Sequence, residues 1–182
     1  MATTSRLTRA IDEIAVGRKR WRERYGANAA AAMEAVSNLI RVRELVVHDM
    51  ERCLHGLDLN QVEYDVLTVV AAGQRDGVRL GQIGRRAQKF FGHQTSITNV
   101  VLRLADRGFV ATERDRDDQR ATRVSLQPLG RDRLRGANDA LTEARFGIGS
   151  LTTAELTQLT ALMTKVRAAH GDVGPDTERG AR

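Results

Sequence analysis

Cysteine, proline and aromatic residues are scarce in this chain, and no long apolar run occurs in it. The single cysteine, Cys53, excludes an internal disulfide and fits a reducing compartment. Two prolines and 4% aromatics beside abundant Ala, Leu and Arg predict a mostly helical protein. No stretch approaches the roughly 18 apolar residues of a membrane span. The opening MATTSRLTRAIDEIAVGRKR lacks an apolar segment ending in a cleavage site, so a cytoplasmic protein with no membrane partner is expected. Metal-ligand and catalytic spacings are missing as well. His48, His55, His93 and His170 form no HExxH pattern, and there is no phosphate-cradling glycine loop or GxSxG elbow, so neither enzyme, metal nor cofactor is expected.

What is present is positive charge on a chain of one-domain size. The 182 residues carry 29 Lys plus Arg against 23 Asp plus Glu, a formal net charge of +6, which makes a polyanion the first partner to consider. With 41% hydrophobic residues the chain can bury a core.

Residues 1–27 read as a basic arm with a short helix, in which Leu7, Ile11, Ile14 and Trp21 give a weak helical period among seven basic residues. Over 28–54, Met33, Val36, Ile40, Val47, Met50 and Leu54 alternate spacings of three and four, with Arg43 in the one polar slot and Leu39, Val46 and Cys53 widening the stripe. That is more apolar surface than a small domain needs, and it predicts a helix that also packs on a second chain; the alternative is a bundle helix covered within one chain.

Asn60 with Glu63 three residues on marks a capping box, opening a helix with Val62, Val66, Leu67, Val69 and Val70 inward that ends before Gly73. An Asp76-Gly77 turn leads to a helix over 80–90, and Gly92 separates it from another over 93–107 that stops at Gly108, a helix-turn-helix pattern. Residues 109–114 and 121–127 then alternate as strands around the polar tip Asp115-Arg116-Asp117-Asp118-Gln119-Arg120, with Thr122, Val124 and Leu126 on one face. A hairpin in that position is a wing. A further helix from about Pro128 carries Leu129, Leu134, Ala137, Leu141 and Ile148. The last opens at Thr152 with Glu155 as capping partner, Leu151 and Leu156 as a staple, and Leu159, Leu162, Met163 and Val166 on its apolar face. Residues 171–182 read as a disordered tail. The fold class is mainly α with a small β-hairpin wing (α+β).

On a helical wheel, Ile97, Val100, Val101 and Leu104 of the helix over 93–107 share one side, and Thr95, Asn99, Arg103 and Asp106 the other, flanked by Ser96 and Thr98. Small polar side chains let a helix sit deep in a major groove, where Asn can pair with adenine and Thr can meet a thymine methyl. From Arg103 to Arg135 nine arginines face six acids. That balance suits carboxylates that aim guanidinium groups rather than a uniformly basic tract: Asp115, Asp117 and Asp118 beside Arg116 and Arg120. An arginine at a hairpin tip reaches a narrow minor groove.

The segments GLDLNQVEYDVLTVV, LGQIGRRAQKF, HQTSITNVVLRLADRGFV and ERDRDDQRATRVSLQPLGR resemble the MarR family of winged helix-turn-helix transcription regulators. The resemblance implies a regulator domain over 28–170, with a DNA-binding lobe at 57–127 and dimerisation helices at 28–55 and 128–170. The family's wing signature falls on Asp118, Arg120, Val124, Leu126 and Gly130, which implies that Arg120 enters the minor groove and Asp118 orients it. The expected DNA-binding residues are Gln94, Thr95, Ser96, Thr98, Asn99, Arg103, Arg116, Asp118, Arg120 and Arg123. The family also implies an effector cleft between the helical region and the lobe, for which His48, Arg52 and Tyr64 are candidates. Asn99 stands where many members carry arginine, Leu102 is apolar where a polar residue is common, and Gln127 replaces a frequent threonine, so an operator cannot be carried over from relatives.

The resulting expectation is a homodimeric repressor of a pseudo-palindromic double-stranded operator, relieved by a small-molecule effector. A redox sensor using Cys53 is the rival on the same fold, although the redox branch of the family places its cysteine near the start of the long helix and Cys53 lies near its end. A winged-helix module that binds protein is the rival from another class.

Overall fold

The structure, a computed structural model, describes residues 11–73, 77–91 and 96–173, with side chains left aside at 88–91. Gln94, Thr95, His93, Asp76, the first ten residues and most of the 171–182 tail lie outside the described residues.

Helix α1, Glu13–Tyr25, begins where the Asp12 carboxylate accepts the backbone N–H groups of Ile14 and Ala15 at 3.1 and 3.2 Å. Gly26, at φ 84, breaks the helix in one residue, and α2, Ala27–His55, runs back along it. Gly17 lies against Met33 and Arg18 pairs with Glu34 at 3.3 Å, so the two helices form an antiparallel hairpin. The α2 seam divides. Val36, Leu39 and Ile40 stay exposed, whereas Met50, Cys53 and fully buried Leu54 pack on the core further along.

A turn with Asp58 at φ 54 leads into α3, Gln61–Ala71. The expected capping box is present, with Asn60 and Glu63 exchanging hydrogen bonds of 2.9 and 3.2 Å. Strand β1, Val78–Arg79, precedes α4, Leu80–Phe91; helix α5, Ile97–Asp106, follows. Helix α5 starts four residues later than the apolar spacing suggests, because Ser96 is extended at ψ 100 and acts as its N-cap. Gly108, at φ 71, ends it as expected.

Strands β2, Val110–Arg114, and β3, Thr122–Leu126, form the wing hairpin, with Val110 opposite Leu126 and Thr112 opposite Val124. Strand β1 joins antiparallel on the other side of β3, giving the order β1-β3-β2. The sequence reading missed β1, since two residues are too few for a period to show.

Helix α6, Pro128–Glu143, buries Gly130, Leu134, Ala137 and Leu141. Gly130 takes the inward slot, where a Cβ would stand 2.0 Å from the Phe109 carbonyl oxygen; Leu129, one residue out of phase, is therefore 49% exposed. Ile148 is not part of α6, because a short 3-10 turn with positive φ at Arg145 and Phe146 intervenes. Helix α7, Thr153–Ala169, has the expected Thr152–Glu155 capping box and buries none of its residues.

The core gathers Leu54 of α2, Val66 and Leu67 of α3, Ile83 of α4, Val100, Val101 and Leu104 of α5, Val124 of β3, and Leu134 and Leu141 of α6. Helix α5 and the wing are thus anchored in one packed unit.

Candidate nucleic-acid interface

Helix α5 presents two unlike faces. Val100, Val101 and Leu104 are buried, while Ser96, Thr98, Asn99, Leu102, Arg103 and Asp106 are exposed. All the described members of the expected polar face point away from the core.

The C-terminal end of α5 is tied to the start of α3. Arg107 donates to the Asp58 carbonyl oxygen, pairs with the Asp58 carboxylate at 2.9 Å and with Glu63 at 3.2 Å, and lies over the Phe109 ring at 4.5 Å. Arg103 Nε is 3.7 Å from the same buried Glu63. These contacts hold the direction of α5 relative to α3, and Arg107, Asp58 and Glu63 had no such role in the sequence reading. The signal for Glu63 was there, because a capping carboxylate at a buried helix start has lone pairs left to fill.

The wing is organised around Asp115, whose side chain is fully buried. Arg79 of β1 donates to it from Nε at 2.9 Å and from Nη2 at 3.1 Å, a bidentate pair, and Arg123 Nε donates at 2.5 Å. The backbone N–H groups of Asp117 and Asp118 also donate to Asp115 Oδ1, at 3.0 and 3.1 Å. The Arg79 hydrogen bonds, then those of Arg123 and the two backbone N–H groups, outweigh burial and hold the Asp115 carboxyl far below the usual carboxylate range. Arg79 is raised in turn by the same pair.

This arrangement departs from the sequence reading, which had the tip aspartates aiming Arg116 and Arg120. Asp115 instead ties the tip to the wing's root through Arg79 and Arg123. Arg123, expected on the DNA, is committed to this cluster and also donates to the Gly77 carbonyl at 3.3 Å. Arg79 was missed because its strand was missed. Arg116, Asp117, Asp118, Gln119 and Arg120 are exposed. Asp118 does contact Arg120, but through the backbone: its Oδ1 accepts the Arg120 N–H at 3.0 Å, which fixes the turn from which the arginine side chain projects.

The effector candidates fall differently. His48 and Arg52 are exposed on α2, with Arg52 3.8 Å from Asp49, while Tyr64 is buried on α3 and donates its hydroxyl to Asn138 of α6 at 3.0 Å. Burial pushes the Tyr64 phenol above its ordinary value. A cavity of about 400 Å³ lies elsewhere, between α3, β3 and α6, with Val70, Ser125, Leu134, Arg135 and Asn138 in its wall. Cys53 is half-buried against the core. Among the described residues no cluster of His, Cys, Asp and Glu could hold a metal, and no helix is long and apolar enough to cross a membrane.

A helix-turn-helix followed by a wing and flanked by long helices defines a winged-helix protein of the MarR fold. No family model matches the chain, and no curated protein matches its sequence. Solved structures do match. Sco5413, a MarR family transcriptional regulator from Streptomyces coelicolor, superposes with a TM-score of 0.67 at 22% identity over 78% of this chain and 96% of its own. Sco3205, a MarR family regulator from the same organism solved in complex with DNA, gives 0.60 at 23% identity over 76% of this chain and 88% of its own. CouR from Rhodococcus jostii RHA1, solved bound to p-coumaroyl-CoA, gives 0.57 at 22% identity over 70% of this chain and 87% of its own. The chain has the fold of these regulators.

Proposed function

We propose that this chain is a MarR-family regulator that binds double-stranded DNA sequence-specifically as a homodimer in the cytoplasm, and that it works by binding rather than catalysis. The observation that carries this reading is the pairing of an exposed polar face on α5 with a wing whose tip is tied to its root through buried Asp115. Asn99 and Thr98 would read base edges in the major groove, and Arg120 at the tip would enter the adjacent minor groove. Sco3205 carries DNA on the same fold, which supports the assignment.

Two copies would join through the exposed apolar faces of α2 and α7, so that two lobes meet two half-sites of a pseudo-palindrome about one helical turn apart. In this reading the regulator is a repressor that a small ligand relieves; CouR, solved bound to p-coumaroyl-CoA, supports a small-molecule site on this fold. Relief requires the ligand to favour a lobe spacing that does not fit the operator. Selection of genomic fragments on the purified protein tests the whole reading. A recurrent inverted repeat, bound with a steep salt dependence, is expected; fragments without a shared sequence, or none retained at low salt, would overturn it.

A further inference from the structure

Helix α1 carries Arg18, Lys19, Arg20, Arg22 and Arg24 against Glu13 and Glu23 within 13 residues, and none of these residues is buried. Arg18 is paired with Glu34 and Arg24 lies over the Tyr25 ring at 5.4 Å. Lys19, Arg20 and Arg22 have no carboxylate partner among the described residues. At 100° per residue Gly17, Trp21 and Ile14 share the side turned to α2, Lys19 and Glu23 lie opposite, and Arg20 and Arg22 stand on the two flanks. Glu23 stands among these cations and Trp21 and Tyr25 remain exposed beside them, so the outward surface of the helix keeps a net positive charge without being uniformly cationic.

That face is far from the winged lobe. Arg18 sits beside Glu34, and α2 continues 21 residues to His55 before the lobe begins, which at 1.5 Å per residue is about 30 Å. The phosphates held by α5 and the wing cannot be the ones that α1 meets.

We propose that the outward face of α1 is a second, sequence-independent DNA-backbone contact, which holds phosphates outside the operator core through Lys19, Arg20 and Arg22. It goes beyond the operator-binding reading and rests on it. The partner is DNA, the polyanion that the lobe of the same chain is read as holding; Ile11, Trp21 and Tyr25 stay exposed on and beside α1, so an anionic membrane is the competing occupant that the vesicle arm of the test detects. The phosphates belong either to flanking DNA of the same duplex or to a second duplex, and the same three cations serve both.

The test uses the full chain and its triple variant Lys19→Gln, Arg20→Gln, Arg22→Gln, which keeps helix propensity nearly unchanged. Two duplexes are compared, an operator core of about 20 base pairs holding two half-sites, and the same core lengthened by about 30 base pairs on each side. On the long duplex the variant should bind roughly tenfold more weakly, with a salt slope reduced by about two to three per protomer. On the core alone the two proteins should bind alike. Trp21, the chain's single tryptophan, stands on α1 at 43% exposure, so its fluorescence should respond to the long duplex and not to the core. If the phosphates come from a second duplex, wild type on an immobilised core should retrieve a labelled fragment that the variant does not. Arg20→Lys with Arg22→Lys, which keeps the charge, should behave as wild type.

Equal affinity and slope on the long duplex, with equal retrieval, overturns the proposal while leaving operator binding intact. Equal losses on both duplexes also overturn it, because the contact would then lie within the core. Binding to phosphatidylserine vesicles that the variant loses, with DNA binding unchanged, assigns the face to lipid instead. Failure of the full chain to bind any duplex at low salt is a different result, and it removes the DNA-binding reading of the whole protein.

Discussion

Helix α3 buries Glu63, Tyr64, Asp65, Val66, Leu67, Val69 and Val70 out of 11 residues, whereas α7 buries none of its 17 and α2 only Ala30 and Leu54 of its 29. The winged lobe thus closes its core, and even satisfies its buried charge, within one chain. The long helices do not: Ile40 is 59% exposed, Leu162 65% and Val166 54%. An apolar stripe that size left in water is what a second copy would cover. The difference teaches that the lobe's geometry is set by its own chain, and that in the proposed dimer the distance between two lobes would be set by whatever covers α2 and α7. Reading sequence and changing affinity would then be separate tasks of separate regions.

The largest effect expected from breaking this comparison comes from the helices. Leu162→Glu with Val166→Glu should yield a monomer by analytical ultracentrifugation whose lobe still folds. Operator affinity should fall by roughly 10²–10⁴-fold, the gain that linking two binding units supplies. Unchanged dimerisation would place the interface elsewhere.

Within the lobe, Asn99→Ala should cost about 1 to 3 kcal/mol on the operator and little on random DNA, with thermal stability nearly unaffected because the side chain is exposed. Equal losses on both DNAs would make Asn99 a backbone contact.

A smaller loss is expected for Asp115→Asn, which keeps the shape but leaves Arg79 and Arg123 without their shared counter-charge. Binding should weaken roughly tenfold, about 1.4 kcal/mol, although a negative charge has been removed from a surface meant for a polyanion. Tighter binding would show that the wing's geometry does not depend on Asp115.

The pH dependence is the finest distinction. The folded carboxyl of Asp115 lies below its ordinary 3.8, so its contribution to stability is complete above that value and is lost as pH falls through the folded one. The difference in melting temperature between wild type and Asp115→Asn should therefore be constant from pH 7 to about 5 and shrink below about pH 4. Glu155, lowered by the Thr152 backbone N–H and hydroxyl, adds acid sensitivity of the same sign to both proteins.

Much of this was legible in the sequence where periodicity and capping speak. The capping boxes at Asn60 and Thr152, the Gly108 stop and the two wing strands lie where local chemistry puts them. Pair partners across the fold were not legible. Asp115 looks like its neighbours Asp117 and Asp118 in sequence, and only the arrival of β1 beside β3 shows that it receives Arg79 from 36 residues away. The start of α5 was misjudged because apolar spacing cannot show that Ser96 is extended. For the effector candidates, nothing local in the sequence shows that Tyr64 is buried with its hydroxyl on Asn138 while His48 and Arg52 stay exposed.

The central claim is that an oriented arginine at the wing tip reads the minor groove, and Arg120→Ala and Asp118→Ala, titrated by fluorescence anisotropy on the operator across a salt series, test it most directly. Arg120→Ala should weaken binding strongly and lower the salt slope by about one. Asp118→Ala should weaken binding too, because Asp118 Oδ1 holds the Arg120 N–H at 3.0 Å and so sets the turn from which the arginine projects. Bare electrostatics predicts the opposite sign for that second change. Tighter operator binding by Asp118→Ala, with the fold intact, would contradict the account.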